Sequence, residues 1–444
     1  MENTHTTLRD AVRVYVEAYG CTQNYGEARL MQEALASRGH DLVGSEARAD
    51  AHVLVTCTVI DATERRMLRR MRELAAHEKP LVVAGCMAAA QRDRVRAAVP
   101  RAKLLPPRKW PQIVDLLDGG TACGDRAAEI EGASLGWHDA IVPIAQGCAG
   151  RCTYCITRVA RGRVTSYAME DVAAQVRRHV ERGVREIKLT GQDTAAYGLD
   201  LGVNLADLLR AIDGIPGDFR VRVGMADPLT VRPIVDDLVD AYATEKVFKF
   251  LHLPVQSGDD GILEAMRREY TVADFEAIVA AFRRAYPEIT LSTDVIVGFP
   301  GETEEQFQAT MDLVERTRPE IVNVTRFSPR PGTPAASFPG PIVGWRVKER
   351  SRRLTRLRFR LAHEIHEAFV GREVDVLVTE PGKPGTTLAR TPEYRQVVLR
   401  EPLDLGVFAR VRIEGATATD LLGRVLRDGP SPRVETATPM PTVL

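Results

Sequence analysis

The chain has 444 residues, 44% of them apolar, and its 60 basic and 60 acidic residues give a formal net charge of zero. At ~150 residues per domain, this length predicts about three domains, each with its own core. A neutral chain has no overall attraction to nucleic acid, so any such attraction must come from local basic patches.

The N-terminus and the cysteine content indicate the compartment. MENTHTTLRD lacks the basic and apolar regions of a secretory signal, and no run of ~18 apolar residues follows. We therefore expect a cytoplasmic protein without a membrane partner. Seven cysteines are an odd set for a disulfide framework, and clustered cysteines in a long intracellular chain are more often metal ligands or catalytic groups.

Three short β-branched runs near the N-terminus each end on a cysteine. They are RVYVEAYGC, AHVLVTC and PLVVAGC, ending at Cys21, Cys57 and Cys86. Helical patterns such as EARLMQEALASRG separate the runs, which predicts a parallel sheet. Because parallel strands share one carboxyl edge, where such sheets bind ligands, the three cysteines are expected to converge on a metal site. The alternative is three buried structural thiols.

The middle of the chain predicts an α/β barrel or part of one. DGGTACGDRAAEIEGASLG reads as a linker, and its Cys123 as a spare thiol. From about residue 139, six strand-like runs alternate with helix-length segments: AIVPIAQGC, EIKLTGQD, FRVRVGM, FKFLHLPVQ, TLSTDVIVG and EIVNVTRFS. Chemistry in such barrels lies where strands end, and these ends carry Cys148, Gln192, Asp193, Met225, Gln256, Ser257, Asp294 and Arg326.

The C-terminal part changes character twice. WRVKERSRRLTRLRFRLAH, residues 345–363, predicts a basic helix whose charges either face solvent or contact phosphate. Residues 368–428 contain short strands with Gly and Pro turns, which predict a small all-β barrel of a kind that often binds nucleic acid. Residues 429–444 are rich in Pro, Thr and Ser, and we expect them to be disordered.

The stretch CAGRCTYC contains three cysteines, Cys148, Cys152 and Cys155, at spacings of four and three. Zinc motifs usually pair two CxxC units, or CxxC with histidines, and no histidine is near enough in sequence to complete this set. Zinc is therefore the weaker interpretation. Three thiolates on a four-iron cube would leave one iron open to a small molecule with amine and carboxylate donors.

The CxxxCxxC spacing is also how radical S-adenosylmethionine enzymes begin. Together with YGCTQN, VTCTV, AGCM, LTGQDTAAYG, FLHLPVQSG, TDVIVGFPGETEEQF and RFSPRPGTPAA, it makes the chain resemble the radical SAM methylthiotransferase family over residues 12–428. The resemblance implies an α/β chain with three domains. These are an N-terminal parallel-sheet cluster domain (12–122), a partial (β/α) TIM-like radical SAM barrel (139–365), and a small all-β, OB-like TRAM barrel (366–428).

The resemblance also implies two 4Fe-4S clusters and S-adenosylmethionine as cofactors. Cys21, Cys57 and Cys86 would bind the auxiliary cluster, while the catalytic cysteines Cys148, Cys152 and Cys155 would bind the radical-generating one. The implied cofactor-binding residues are Tyr154, Thr190, Gly191, Gln192, Asp193, Gln256, Asp294 and Gly298. Alternatively, the glycines are simple turns and Asp294 is a capping or core-edge carboxylate. We expect His252 to be structural, since a lone strand histidine is more often hydrogen-bonded than catalytic.

The implied reaction removes hydrogen from an unactivated carbon with a 5'-deoxyadenosyl radical and replaces it with a methylated sulfur from the auxiliary cluster. DTAAYG, RVGMADP and TRFSPRPGTPAA look most like the archaeal and eukaryotic branch acting at C2 of N6-threonylcarbamoyladenosine at position 37 of tRNA. Thr22 and Gln23 stand where the protein-modifying branch usually has Pro-Lys. Val55 and the Gly191-Gln192 pair depart from residues common in the family or branch.

The implied partners are the tRNA anticodon stem-loop, an electron donor such as a ferredoxin or flavodoxin, and a sulfur donor. Other family substrates are a ribosomal-protein aspartate and isopentenyladenosine in tRNA. An alternative of another class is a non-catalytic iron–sulfur protein that binds RNA, although that function has no need of an open iron. The sequence leaves open whether Arg326 and Arg330 bind cofactor, substrate or cluster sulfur.

Overall fold

The computed structural model describes residues 11–59, 61–118 and 138–426, which form two compact units. The N-terminal unit comprises the described residues up to 118 together with 156–162, and the second unit comprises 138–155 with 163–426. Cys123, most of the predicted linker and the tail 429–444 lie outside the described residues. Within the described ranges, no helix has the length and apolarity needed to cross a membrane.

The N-terminal unit is built on a parallel sheet, as the sequence predicts, but the sheet has five strands where the sequence indicates three. The strands are β1 (Arg13–Ala18), β2 (Asp41–Leu42), β3 (Ala51–Thr56), β4 (Leu81–Gly85) and β5 (Lys103–Leu105), in the order β2-β1-β3-β4-β5. All six residues of β3 are buried. A continuous buried run of this kind is typical of a central parallel strand, which is covered on both faces.

Helices cover both faces of this sheet. They are α1 (Thr22–Ser37), α2 (Asp61–Ala75), α3 (Cys86–Ala90), α4 (Arg92–Ala98), α5 (Ile113–Leu117) and α6 (Thr157–Arg161). Leu30, Met31, Ala34 and Leu35 of α1 pack on the face that carries Val53 and Val55. Met67 and Met71 of α2 pack on the opposite face, with Leu54. The alternation along β3 therefore separates two apolar cores.

The second unit begins with six parallel strands arranged as an open, partial barrel, called here the half-barrel. They are β6 (Asp139–Pro143), β9 (Glu186–Thr190), β10 (Arg220–Val223), β11 (Phe250–His252), β12 (Thr290–Val297) and β13 (Ile321–Arg326). They pair as β10-β9-β6 and β11-β12-β13, and a parallel bridge between Val221 and Val247 joins the two sets. A short hairpin of β7 (Ala145–Gln146) and β8 (Thr165–Ser166) follows β6. The predicted partial barrel is confirmed.

Helices pack on the outside of the half-barrel. They are α7 (Met169–Glu181), α8 (Leu205–Asp213), α9 (Pro228–Val231), α10 (Val235–Ala241), α11 (Asp260–Ala265), α12 (Val272–Ala285), α13 (Glu304–Thr317) and α14 (Gly344–Glu367). Capping boxes start α8, α12 and α13, with Asn204, Thr271 and Thr303 as the capping residues. Each cap satisfies amide groups that have no partner within the helix.

A small closed barrel completes the second unit. Its strands are β14 (Glu373–Pro381), β15 (Thr387–Arg390), β16 (Gln396–Leu399), β17 (Phe408–Ala416) and β18 (Leu421–Val425), in the order β14-β15-β16-β18-β17. Side chains such as Val376, Val397 and Val411 fill its interior. The predicted all-β barrel is confirmed, and the long helix α14 leads into it from the half-barrel.

Candidate active site

The three N-terminal cysteines, called here the N-terminal triad, lie at one edge of the first sheet. Cys21 caps the start of α1 just after β1, Cys57 directly follows β3, and Cys86 directly follows β4. These strands are neighbours, so the shared carboxyl edge brings the cysteines together. Burial raises the pKa of Cys86 to about 12, and the adjacent Cys21 and Cys57 add to the rise.

A glycine makes the close approach at this edge possible. Gly85, immediately before Cys86, has a φ of +86°, and a Cβ on it would lie 2.6 Å from the backbone oxygen of Thr56. A side chain would therefore meet backbone that cannot move aside. The position of Cys86 depends on glycine at residue 85.

A buried arginine contacts the N-terminal triad. Arg161, the last residue of α6, is 1% exposed and donates from Nε to the Cys86 Sγ at 3.3 Å. Its other nitrogens donate to the Glu27 carboxylate, which is fully buried, and to the Asn24 Oδ1 at 2.8 Å. The carboxylate compensates the guanidinium charge, and the paired contacts fix its orientation toward the sulfur.

The loop after β7 contains the second set of cysteines, called here the barrel triad: Cys148, Cys152 and Cys155. All three are partly buried. The Gly150 amide donates to the Cys148 Sγ at 3.3 Å. A Cβ on Gly150 would lie 3.5 and 3.6 Å from the sulfurs of Cys148 and Cys152. Thr153 anchors the loop through two hydrogen bonds to the carbonyls that end α11.

A second buried arginine contacts the barrel triad. Arg268 donates from Nη1 to the Cys152 Sγ at 3.1 Å and pairs through Nη2 with the Asp227 carboxylate at 2.7 Å. Its Nε donates to the Tyr270 hydroxyl at 3.0 Å. Burial raises the pKa of the Cys152 thiol, while the Arg268 charge opposes the rise. Both triads thus have the same arrangement of carboxylate, arginine and cysteine.

The predicted TGQD residues lie at the carboxyl end of β9, beside the barrel triad. The Gln192 Oε1 accepts a hydrogen bond from the Gly147 amide at 2.7 Å, immediately before Cys148 in sequence. The Asp193 carboxylate accepts from the Thr230 hydroxyl and from the Asp227 amide. Burial raises the pKa of Asp193 to about 7, and the Asp227 charge adds to the rise.

Thr190 and Gly191 complete the turn between β9 and these two side chains, and Thr190 is buried. The role of this turn in binding S-adenosylmethionine stays a prediction.

The other predicted cofactor residues divide into two environments. Asp294 of β12 pairs with the His252 Nε2 at 3.2 Å and accepts from the Asn323 amide at 2.7 Å. Burial opposes ionisation of Asp294, but these two hydrogen bonds outweigh it and lower its pKa. His252 is thus hydrogen-bonded, as expected for a structural residue, yet its partner is a predicted cofactor residue. Gln256 is buried next to this group, with a φ of +69°.

Gly298 and Tyr154 pack against apolar neighbours. A Cβ on Gly298 would lie 2.7 Å from Val347 of α14, so glycine here permits the helix to approach. The Tyr154 ring makes an edge contact with Phe299 at 6.4 Å between centroids. Their predicted cofactor roles stay predictions. Arg326 is exposed and Arg330 is buried.

The donor set of each triad fits an iron–sulfur cluster. Among the described residues, no three His, Cys, Asp or Glu side chains are arranged to hold a single metal ion. A four-iron cluster is larger than one ion and spreads its thiolates further apart. Buried free thiols of raised pKa would stay protonated at neutral pH, whereas metal binding deprotonates them. The nearby guanidinium groups favour thiolate.

Several of these groups could not be assigned from local sequence. Glu27 and Arg161 are 134 residues apart, and Cys152 and Arg268 are 116 apart. For Arg268, the available sequence signal was its partner Asp227, which lies within the motif RVGMADP. For Arg161, the available signal was its place six residues after Cys155.

Comparisons with known proteins match the three successive parts of the chain. Three family models match in succession: "Uncharacterized protein family UPF0004" over residues 13–105, "Radical SAM superfamily" over 142–314, and "TRAM domain" over 367–426. A solved radical S-adenosylmethionine methyltransferase, TsrM from Kitasatospora setae, has a TM-score of 0.55 at 14% identity, covering 74% of this chain and 77% of that chain. That likeness concerns the fold.

Curated relatives match almost the whole chain. The Pyrococcus horikoshii protein named "Probable threonylcarbamoyladenosine tRNA methylthiotransferase" is 42% identical, covering 94% of this chain and 100% of its own. The Archaeoglobus fulgidus protein of the same name is 42% identical, with the same coverage. The "Threonylcarbamoyladenosine tRNA methylthiotransferase" of Drosophila pseudoobscura pseudoobscura is 35% identical, covering 94% of this chain and 78% of its own. The chain therefore belongs to the threonylcarbamoyladenosine tRNA methylthiotransferase family of radical SAM proteins.

Proposed function

We propose that the protein adds a methylthio group to C2 of N6-threonylcarbamoyladenosine at position 37 of tRNA. The observation that carries the proposal is the presence of two three-cysteine sets at sheet edges, each contacted by a buried arginine. Relatives at 35–42% identity that are named for this nucleoside support the substrate. Three cysteines per set would leave one iron of each cluster open.

The two triads have different tasks in this proposal. When bound, S-adenosylmethionine and the barrel-triad cluster supply a carbon radical that removes hydrogen, and the N-terminal-triad cluster carries the sulfur that replaces it. The cofactor must supply this chemistry, since side-chain acids and bases cannot remove a hydrogen atom from an aromatic C–H bond.

The chain's own residues position and shield the reacting groups. Arg268 and Arg161 orient one cysteine sulfur in each triad and place a positive charge beside it. Gln192 holds the start of the barrel-triad loop through the Gly147 amide. The His252–Asp294 pair keeps a carboxylate ionised on the strands where cofactor contacts are predicted. The buried surroundings limit access of water to reactive species.

The proposed partners and location are those that the sequence resemblance implies. The tRNA anticodon stem-loop is the substrate, a ferredoxin or flavodoxin supplies electrons, and a separate donor renews the sulfur. The reaction takes place in the cytoplasm.

Anaerobic reconstitution followed by nucleoside mass spectrometry tests the proposed function. The protein is supplied with S-adenosylmethionine, a reductant and tRNA carrying N6-threonylcarbamoyladenosine, and we expect 5'-deoxyadenosine together with a nucleoside that has gained a methylthio group. Cys148→Ala should abolish both products. Cys86→Ala should still release 5'-deoxyadenosine but yield no methylthio nucleoside.

Cys123→Ser serves as the matched control and should retain both products, because this thiol belongs to neither triad. Formation of 5'-deoxyadenosine without any modified tRNA nucleoside would reject the tRNA assignment. Absence of 5'-deoxyadenosine with reduced clusters would reject the radical reaction.

A further inference from the structure

Helix α14 presents two flanks of different electrostatic character. On one flank, arginines pair with carboxylates of α13 or of the loop before it. The Arg350 Nη1 lies 2.6 Å from Glu302, and the Arg360 Nη2 lies 2.6 Å from Glu315. Arg353 pairs with Glu304 in the same way. The positive charges of Arg350, Arg353 and Arg360 are therefore neutralised within the second unit.

The face of α14 that points away from its buried side carries a stripe of basic and aromatic residues. The basic-aromatic stripe consists of Trp345, Lys348, Arg352, Arg356 and Phe359. Their offsets of 0, 3, 7, 11 and 14 residues place them on one face, since an α-helix has 3.6 residues per turn. No carboxylate in the described part of the chain forms an ion pair with Lys348, Arg352 or Arg356, and all three are exposed.

The aromatic residues of the stripe are unusually exposed. Trp345 is 65% exposed and Phe359 is 39% exposed. Trp345 and Phe359 stand at the two ends of a row of unpaired cations, and the rings of both contact a neighbouring arginine, Arg346 or Arg358. Exposed aromatic rings beside unpaired cations are the composition of a single-stranded nucleic-acid surface, where bases stack on rings and phosphates meet cations. A solvated helix face has no need of the aromatic side chains.

The position of the stripe also favours a chain-like ligand. Helix α14 packs on β13, which pairs only with β12 among the described strands and so forms the open edge of the half-barrel. At its C-terminal end the stripe reaches a cleft of about 360 Å³. The cleft is lined by Phe359, Arg358 and Ile321 and by Arg390 and Tyr394 of the small barrel, and its lining also includes the carboxylates of Glu320 and Asp420.

We propose that the basic-aromatic stripe binds a single-stranded segment of the tRNA anticodon arm, adding to the small barrel a second RNA-binding surface. The inference rests on the proposed function, since tRNA is its substrate. Lys348, Arg352 and Arg356 contact phosphates, while Trp345 and Phe359 stack on unpaired bases. The cations are four residues apart, about 6 Å along the helix, so a strand running parallel to the axis meets all three.

Salt-dependent binding of tRNA to the full chain tests the proposal. For single strands the logarithm of the binding constant falls by about 0.7 per released counterion for each unit of log salt. Lys348→Gln/Arg352→Gln/Arg356→Gln should therefore reduce the slope by about two and weaken binding several-fold at low salt. Trp345→Ala/Phe359→Ala should weaken binding with little change in slope. Circular dichroism establishes that each variant is folded.

The other flank of the same helix provides the control. Arg353→Gln/Arg360→Gln removes two arginines that are already paired, so the wild-type slope is expected. A triple variant with wild-type affinity and slope overturns the proposal while leaving the proposed function intact. The proposal is also overturned if the triple variant loses affinity for polyglutamate by the same factor as for tRNA, since the stripe would then be a general anion-binding surface. If the wild-type chain neither binds nor modifies tRNA, the proposed function fails as well.

Discussion

Two buried arginines, Arg161 and Arg268, give the cysteine triads a common local design. Each donates to one cysteine sulfur and is held by a carboxylate, Glu27 in one case and Asp227 in the other. A guanidinium is always charged and presents its donors in a rigid fork. Hydrogen bonds to cluster sulfurs and nearby charge are main determinants of cluster potential. We therefore expect the arginines to affect both the geometry and the reduction potential of the proposed clusters.

Arg268→Met should lower the reduction potential of the cluster at the barrel triad. Loss of the donor and of the positive charge destabilises the more negative, reduced cluster, so we expect a shift on the order of tens of millivolts. Arg268→Lys keeps the charge without the fork and should fall between wild type and Met. The measurement is a redox titration followed by electron paramagnetic resonance.

A Cys21→Ala/Cys57→Ala/Cys86→Ala background restricts that titration to the barrel triad. Wild-type potentials in both Arg268 variants would show that the 3.1 Å contact with Cys152 has no electrostatic effect on the cluster.

At the scale of elements, β4 and the helix that follows it are joined without any linker. Gly85 ends the strand and Cys86 begins α3, so the strand end itself places the thiol. The left-handed φ of Gly85 and the adjacent Thr56 backbone leave no room for a side chain. The position of the Cys86 thiol is thus a property of the β3–β4 pairing.

Gly85→Ala should reduce the iron and sulfide content after reconstitution, with loss confined to the N-terminal triad. The new Cβ would lie 2.6 Å from the Thr56 carbonyl oxygen, and β4 must shift to relieve the clash. Gly39→Ala is the matched control, because Gly39 has a similar φ of +83° but no atom within 4 Å of the added Cβ. Its cost is the backbone conformation alone, about 1–2 kcal/mol.

Iron analysis together with thermal unfolding distinguishes these two substitutions. Equal iron content in both would mean that the close approach at Gly85 does not determine ligand position.

Sequence patterns predict these elements well and the contacts between them poorly. Short runs rich in β-branched and apolar residues, such as AHVLVT, indicate buried parallel strands, and cysteines at strand ends follow from the topology. The basic character of α14 is also evident, but its division into a paired and an unpaired flank depends on Glu304 and Glu315 of another helix. Arg161 finds its carboxylate 134 residues away, and local periodicity contains no information about such a pair.

At the scale of the whole molecule, a buried ion pair ties the small C-terminal barrel to the half-barrel within the second unit. Arg395 donates to both oxygens of Glu320, at 2.7 and 2.8 Å, and also to the Glu288 carbonyl. His366, near the end of α14, approaches the same carboxylate at 3.6 Å. The two barrels are therefore expected to unfold together.

Glu320→Ala should lower the free energy of unfolding of the second unit by about 3–5 kcal/mol, because it removes both close hydrogen bonds from a buried guanidinium to a carboxylate and leaves only the more distant Glu393, at 3.4 Å. Asp375→Ala removes a carboxylate from an exposed pair with Arg410 and should cost about 0–1 kcal/mol. Urea unfolding monitored by circular dichroism measures both. A cost below 1 kcal/mol for Glu320→Ala would show that solvent reaches the pair.

The N-terminal unit is discontinuous in sequence, since it includes residues 156–162 from beyond the barrel triad. A fragment cut at the apparent boundary near residue 136 would contain all of its sheet and the whole N-terminal triad, but would lack Arg161. Glu27 would then be buried without its cation. On the ribosome, the same unit must wait for a helix synthesised after Cys155 before its core is complete. The surroundings of the N-terminal triad are therefore complete only after the barrel triad and the segment that follows it have been synthesised.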